Sequence, residues 1–416
     1  MDYFARQNMI VSKHAAELIK NIRILVVGVG AGGNEILKNL LLMGFGHLTI
    51  IDFDHVEDSN LSRTTLFRKE DIGKSKSLVA AERLREMALH DNPEIVGLHG
   101  NLMTDFGKGL FVEHDIVICC VDTQKCRAYI NDMCVLTKTP FFEMGFSGYD
   151  VDICFFAPEG SMTQQDGTII EKLPSSDGIF PKMNGEFPVC LREEIGFGNF
   201  EEKRNSCSGY KVVDTNLSKI PTIQISAGMA GVLVATELIK YLNGIESIKN
   251  KMLLYFGKTY STMICNYTRS EKCTIHEEKF NLVEINTENN STIRDVLSCI
   301  ESTLNGKALL CLPDDFVISN KCHICGKEIV INKRKSEVWN DERWCEDCRS
   351  KFDNYEQIIE HASDTVLVPH EVSLNSDSKI LDMCIFNVGV PFNDILDCFI
   401  IRGKEIEDYN IYLKCN

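Results

Sequence analysis

The chain has 416 residues, 44% of them hydrophobic and 25% charged, enough for two or three domains with a sizeable core. Its 44 basic residues stand against 60 acidic ones, a formal net charge of −16, which disfavours wrapping phosphate backbones, so no nucleic-acid partner is expected. No basic region followed by an apolar run opens the chain, and its 18 cysteines without a secretory signal point to thiols in a reducing compartment, hence a cytoplasmic location.

Residues 22–29 form a short apolar, β-rich run, followed by Gly28, Gly30 and Gly33 in a GxGxxG pattern. Ile36, Leu37, Leu40 and Leu41 then recur at helical spacing, and residues 47–54 read as a second strand carrying Asp52. A strand, a glycine turn, a helix and a strand in that order begin a parallel α/β sheet. Residues 75–89 read as an amphipathic helix. Residues 114–122 form a buried strand ending in Asp122, followed by a helix over 125–138 and a strand over 140–146. Ligands in such sheets sit off the carboxyl ends of the strands, where Asp52 and Asp122 both fall.

From about 158 to 220 the sequence turns rich in Gly, Pro, Ser and Asp, the mark of a functional loop or crossover. Residues 220–242 are apolar, yet they include Gln224, Ser226, Thr236 and Glu237, and their period fits a buried helix better than a membrane span. No membrane partner is expected. Strands resume over 252–267. A small α/β portion and a cysteine-paired module over 322–348 follow, and alternation over 397–413 suggests a small β-containing domain. The boundaries drawn are 1–157 for the nucleotide-binding half of the first domain, 158–220 for the crossover, and 221–275 for the rest of that domain. Residues 276–350 hold the module, and 351–416 form a C-terminal domain.

The glycine turn lets backbone N–H groups approach phosphate at a helix N-terminus, and Asp52 can accept from ribose hydroxyls, so NAD and ATP fit equally at this point. Asn60, Arg63 and Lys76 break the tie. Two cations and an amide grouped after the second strand suit a triphosphate: Arg offers a planar fork for phosphate oxygens and Lys a point charge. Asp122 can hold Mg²⁺ beside a pyrophosphate leaving group. The bland alternative makes Arg63 and Lys76 surface charges and Asp122 a helix cap.

The runs GVGAGG, TIIDFD, SNLSR, GKSK and CCVDTQKCRAYIN together resemble the ThiF/MoeB superfamily, the ubiquitin-activating-type adenylating enzymes. YFARQ at 3–7 resembles the family's N-terminal Arg-Gln motif, and the resemblance covers roughly residues 1–270. It implies a Rossmann-like adenylation domain with a mixed, mainly parallel sheet, accompanied here by a zinc-knuckle module and a small C-terminal α+β domain. It implies that Asp52 contacts ribose, that Asn60, Arg63 and Lys76 surround the phosphates, that Asp122 holds magnesium, and that Arg6 reaches the site of a partner subunit in a homodimer. The family usually has Gln after the arginine of NLxR, whereas this chain has Thr64, which weakens one phosphate-side contact. The reaction implied is ATP-dependent adenylation of the C-terminal glycine of a ubiquitin-like protein, then a thioester on an enzyme cysteine and transfer to a conjugating enzyme. The setting most like this design is a bacterial ubiquitination-like system of the antiviral-defence kind. A sulfur-carrier adenylyltransferase, a non-catalytic binder of a ubiquitin-like protein and a dehydrogenase stay open.

A thioester needs a reactive, accessible thiol. Cys207 lies beside Lys203 and Arg204 in the crossover, where short members of the family carry their thioester cysteine; Cys190, in a Phe-Pro-x-Cys context, competes, and the bland reading makes either a buried thiol. Cys119, Cys120, Cys126 and Cys134 fall on core elements. The pairs Cys322/Cys325 and Cys345/Cys348, with 19 residues between them, have the spacing of a closed tetrahedral thiolate zinc site with a structural role. Many family members take one zinc pair from the crossover and one from later; this crossover has Cys190 and Cys207 but no CxxC pair, and both pairs fall late. His323 reads as a surface residue, and Cys273 and His276 as structural. By analogy, residues 351–416 dock a conjugating enzyme or serve dimerisation.

Overall fold

Alternation of apolar residues in the first strand decides the architecture of the larger half. The computed structural model describes residues 3–89, 93–159, 186–196, 222–277, 280–313, 315–322, 325–334, 345–349, 365–368, 370–376, 378–388, 390–391, 393–403 and 405–415. In β1 (Arg23–Val27), Ile24 and Val26 enter one core while Leu25 and Val27 enter another, so the strand is buried on both faces. It pairs in parallel with β2 (His47–Asp52) and β4 (Ile116–Cys119); β2 continues to β3 (Glu94–His99), and β4 to β5 (Phe141–Ser147). From β5 the sheet turns antiparallel through β6 (Asp150–Phe156), β7 (Lys251–Phe256) and β8 (Ser261–Asn266). The eight strands run in the order β3-β2-β1-β4-β5-β6-β7-β8, the mixed and mainly parallel sheet that the sequence implies.

Four helices lie in the same core as Ile24 and Val26: α1 (Lys13–Asn21), α2 (Ala31–Leu42), α3 (Lys76–Met87) and, later in the chain, α7 (Gln224–Leu242). On the other face lie α4 (Leu110–Glu113), α5 (Gln124–Thr137) and α6 (Arg192–Ile195). Helix α7 is apolar and long enough to cross a membrane, but Ala227, Ala230, Val234 and Leu238 are buried in the core, as expected for an internal helix. Gly231 lets it lie directly on α2, because a Cβ there would come within 2.8 Å of Glu35 Cβ.

Chain contacts divide the molecule into two compact units, residues 1–106 with 110–279, and residues 107–109 with 280–416. The second unit holds a five-stranded sheet built from β9 (Leu282–Thr287), β10 (Lys307–Cys311), β14 (Glu371–Val372), β15 (Ile395–Arg402) and β16 (Glu405–Cys415). Helix α8 (Ile293–Leu304), capped by Thr292, buries Ile293, Val296, Leu297 and Ile300 in the same core as Ile285, Leu310 and Ile411 of that sheet. A three-stranded sheet of β11 (Phe316–Lys321), β12 (Glu328–Arg334) and β13 (Thr365–Val368) accompanies the cysteine module. The alternating segment near the C-terminus is the β15–β16 hairpin, turning at Gly403 with φ +68°.

Candidate functional site

The three glycines of the turn are there for three different reasons. Gly28 has φ +91°, and a Cβ on it would meet the Cys120 carbonyl oxygen at 2.6 Å. Gly33 packs α2 onto the turn, since its Cβ would stand 2.1 Å from the Gly28 carbonyl oxygen. Gly30 has open space, nothing lying within 4 Å of an added Cβ. A ligand can therefore approach the backbone at Gly30, at the N-terminus of α2, where the helix dipole favours negative charge.

Asp52 closes β2 directly beside this turn. Its carboxylate accepts from the N–H of Val29 at 2.6 Å and from that of Asp54 at 2.7 Å, and burial raises its pKa, opposed by nearby Lys76 and by these two hydrogen bonds. Lys76 opens α3 with its side chain largely buried, and its Nζ pairs with Asp54 at 2.8 Å. Asp54 is thus the partner that keeps this buried cation satisfied, a role that sequence reading overlooked. Asn34 was overlooked too. Its amide donates to the carbonyls of Val29 and Gly30 and accepts from the N–H of Leu66, joining the glycine turn to the segment after Arg63.

The other expected phosphate-side residues are less engaged. Asn60 spends its side-chain oxygen on the N–H of Glu57, and Arg63 donates to the Ser59 carbonyl at 2.5 Å. Thr64, where the family has Gln, donates its hydroxyl to the Asn60 carbonyl. Asp122 is exposed two residues beyond Cys120, whose carbonyl abuts Gly28, so the end of β4 adjoins the glycine turn. The cap of α5 is Thr123, which accepts from the N–H of Cys126, so the helix-cap alternative for Asp122 does not hold. Its carboxylate is an accessible oxygen donor of the kind that Mg²⁺ takes.

Arg6 does not join this group within one chain. Its neighbour Gln7 donates to the carbonyl of Met43, and Phe4 packs on Gly44, both just past the C-terminal end of α2. The glycine turn stands at the other end of this 12-residue helix, about 18 Å along its axis.

Beneath α5 and α6 lies a buried charged group. Arg127 pairs with Glu143 and donates to the Val121 carbonyl at 2.9 Å. Asp152 faces Gly145 in the β5–β6 register, and its pKa is raised to about 7, first by burial, with Glu194 adding to the shift and Arg127 opposing it.

Of the two thioester candidates, Cys207 lies outside the described residues, as do Lys203, Arg204 and His323. Cys190 is fully buried, and burial pushes its thiol pKa up, the reverse of what a nucleophile needs. The sulfurs of Cys322, Cys325, Cys345 and Cys348 all lie within 4.8 Å of one another, as the zinc reading requires. Gly326, at φ +71°, donates its N–H to the Cys322 carbonyl at 2.7 Å and shapes the first knuckle. Four thiols so placed, three of them buried, fit a Zn²⁺ ion with a structural role. A second convergence was not foreseen: Cys190, Glu193, Cys273 and His276 also place their ligand atoms within 4.8 Å of one another. The signal was present, because Cys190–Glu193 and Cys273–His276 share the two-residue spacing of the CxxC pairs.

A sequence profile described as the ThiF family matches residues 4–275. SUMO-activating enzyme subunit 2 of Dictyostelium discoideum is 39% identical over 132 residues, 32% of this chain and 20% of that one. The NEDD8-activating enzyme E1 catalytic subunit of Caenorhabditis elegans is 39% identical over 117 residues, 28% of this chain and 26% of that one. The matches with these two relatives thus span only about a fifth to a quarter of their length. Among solved structures, E. coli MccB with ATP has a TM-score of 0.48 at 18% identity, covering 66% of this chain and 74% of that one.

Proposed function

Since the chain belongs to the ThiF family, we propose that it activates the C-terminal carboxylate of a ubiquitin-like protein by adenylation with ATP. A carboxylate oxygen of the carrier's last residue attacks the α-phosphorus of ATP. The bond from that phosphorus to its bridging oxygen breaks, and pyrophosphate leaves with the electron pair. The protein forms no covalent bond in this step, so its work is in-line positioning and charge stabilisation. The observation that carries the reading is the group at the carboxyl edge of the parallel strands: open Gly30, buried Asp52 beside it, and largely buried Lys76 within electrostatic reach of Asp52. Asp52 takes the ribose, and Lys76 exchanges Asp54 for phosphate oxygens, with Arg63 and Asn60 released to the same charge. Asp122 would hold Mg²⁺, which neutralises charge on the departing pyrophosphate.

The acyl-adenylate then passes to Cys207, whose thiolate attacks the acyl carbonyl and expels AMP. Cys190 is the poorer candidate because it is buried. From the thioester the carrier moves to a conjugating enzyme, for which residues 351–416 offer the docking domain. Two chains form the working unit, each lending Arg6 to the other's site, and the setting is cytoplasmic, in a conjugation system of the bacterial antiviral type.

The test is ATP–pyrophosphate exchange with carrier proteins from the same host, joined to intact-mass analysis. Asp122→Ala is expected to abolish exchange, while Cys207→Ala leaves exchange intact and removes a thiol-sensitive adduct. An adduct that survives in Cys207→Ala would move the thioester elsewhere. Exchange without any adduct would make the enzyme an adenylate-only activator of the sulfur-carrier kind. Stabilisation of the fold by NAD, and not by ATP–Mg²⁺, would overturn the whole reading.

A further inference from the structure

We propose that Asp54 is a positioning residue of the nucleotide site: it holds Lys76 while the site is empty, competes with phosphate for that cation, and so sets how readily pyrophosphate leaves. The role rests on the adenylation proposed above and names what governs release at the same site. Lys76 stands where a cation is poorly placed. It is the first residue of α3, whose first turn holds no acidic residue and whose N-cap, Ser75, makes no side-chain cap hydrogen bond. The positive end of the helix dipole therefore faces a positive charge. Burial adds to the cost, since the Lys76 side chain is only 10% exposed. Asp54 Oδ2, 2.8 Å from Lys76 Nζ, supplies the counter-charge.

The backbone sets the two residues opposite each other. His55 and Ser75 form an antiparallel bridge. Around it, the N–H of Lys76 donates to the Asp54 carbonyl at 3.0 Å, and that of Val56 to the Lys74 carbonyl at 2.8 Å. The N–H of Gly73 closes this short ladder on the Val56 carbonyl at 2.9 Å. The N–H of Asp54 donates to Asp52 Oδ1 at 2.7 Å, which ties the pair to the residue assigned to the ribose. Both charges reach Asp52, whose pKa Lys76 lowers and Asp54 raises. With the backbone of Asp54 held on both sides, a change of partner falls to the lysine side chain.

A site built for tight nucleotide binding alone has no use for a carboxylate here. Its charge repels phosphate, and its pair with Lys76 must be broken before the lysine can serve a ligand. A neutral amide oxygen would satisfy the ammonium without that repulsion. What the carboxylate adds is reversibility. The two partners differ in what they tolerate. Asp54, with its side chain 43% exposed, is hydrated when Lys76 turns away, whereas the buried lysine needs an anion in either state. Phosphate is that anion when the site is loaded, and Asp54 when it is empty. The fixed carboxylate thus takes the cation back as pyrophosphate departs. Holding substrate and product more tightly without discrimination would lower KM and bring no gain in kcat.

The experiment compares the whole wild-type chain with Asp54→Asn and Asp54→Glu. Asparagine keeps an oxygen for the Lys76 ammonium and removes the charge; glutamate keeps the charge. Calorimetry reads the affinity for Mg²⁺–pyrophosphate and for a non-hydrolysable Mg²⁺–ATP analogue, and ATP–pyrophosphate exchange reads kcat and KM. In Asp54→Asn both ligands should bind about fivefold tighter, because a partly exposed ion pair no longer has to be broken. KM for ATP should fall by a similar factor with no gain in kcat. Asp54→Glu should stay within about twofold of the wild-type affinities. Unchanged or weaker binding by Asp54→Asn would make Asp54 a structural partner only and overturn the proposal. Equal tightening in Asp54→Glu would overturn it as well, since charge would not be the cause. A wild type that binds neither ligand removes the adenylation reading itself, whereas a wild type that binds both, matched by Asp54→Asn, removes only the role of Asp54. Should the asparagine variant fail to fold, a crystal structure of the wild type with the ATP analogue decides. Lys76 Nζ should lie within hydrogen-bond distance of a phosphate oxygen and apart from Asp54; a lysine still paired with Asp54 would overturn the exchange.

Discussion

Gly30 and Gly33 are three residues apart and answer to opposite demands, which makes them a clean test of the nucleotide turn. Gly30 has φ −71°, a value that any L-residue adopts, and the space around its Cβ is empty. Alanine there should leave stability within about 0.5 kcal/mol of wild type. It should nevertheless weaken ATP–Mg²⁺ binding, because the methyl group fills the space through which phosphate reaches the backbone. Gly33→Ala pushes a methyl group to 2.1 Å from the Gly28 carbonyl oxygen. The turn must open or the helix must shift, costing about 3 kcal/mol or more. Thermal melts with and without ATP–Mg²⁺ separate the two effects. The wild-type melting temperature for Gly30→Ala, together with undiminished stabilisation by ATP–Mg²⁺, would show that the open space at Gly30 is not where the nucleotide lies.

At the scale of elements, the junction of β5, β6 and α5 is where charge enters the interior. Arg127 pairs with Glu143, and Asp152 on β6 shares that one cation while Glu194 lies nearby. Its folded pKa is raised to about 7, first by burial. The unfolded carboxyl titrates near about 3.9, so between these two values the native state holds a proton that the unfolded state has released. Stability contributed by the protonated form is therefore complete below about pH 4, declines as pH rises towards 7, and changes no further above it. Asp152→Asn keeps the shape and removes the titration. The variant should gain in melting temperature over wild type at pH 8 and gain much less at pH 4.5; an equal difference at both values would mean that Asp152 is ionised in the fold throughout. None of this was legible in the sequence, which showed the neighbouring strand over 140–146 but neither β6 nor which carboxylate the pairing register would bury. The parallel strands, the glycine turn and α2 were legible because apolar periodicity and glycine report local backbone needs directly. Glu193 and His276 were not, since their meaning lies in meeting Cys190 and Cys273 from segments some eighty residues apart.

For the whole molecule, the open question is how a complete site is assembled, and Arg6 is the residue that decides it. Gln7 and Phe4 hold the N-terminal turn at the far end of α2 from the glycine loop. The helix between them is about 18 Å long, well beyond the reach of one arginine side chain. Met9, Ile10 and Ile225 are each more than 70% exposed, large apolar side chains of the kind that a subunit interface covers. If Arg6 serves the other chain's site across a two-fold axis, Arg6→Ala and Asp122→Ala should each lose pyrophosphate exchange as pure proteins and regain it when mixed. Half of the randomly reassorted dimers are mixed, and each of these has one site with both residues intact, so recovery should approach about one quarter of the wild-type rate. Native mass spectrometry of the mixture establishes that chains have exchanged. With exchange of chains confirmed and no recovery of rate, Arg6 would have to act within its own chain, and the N-terminal turn would have to leave the end of α2 during the reaction.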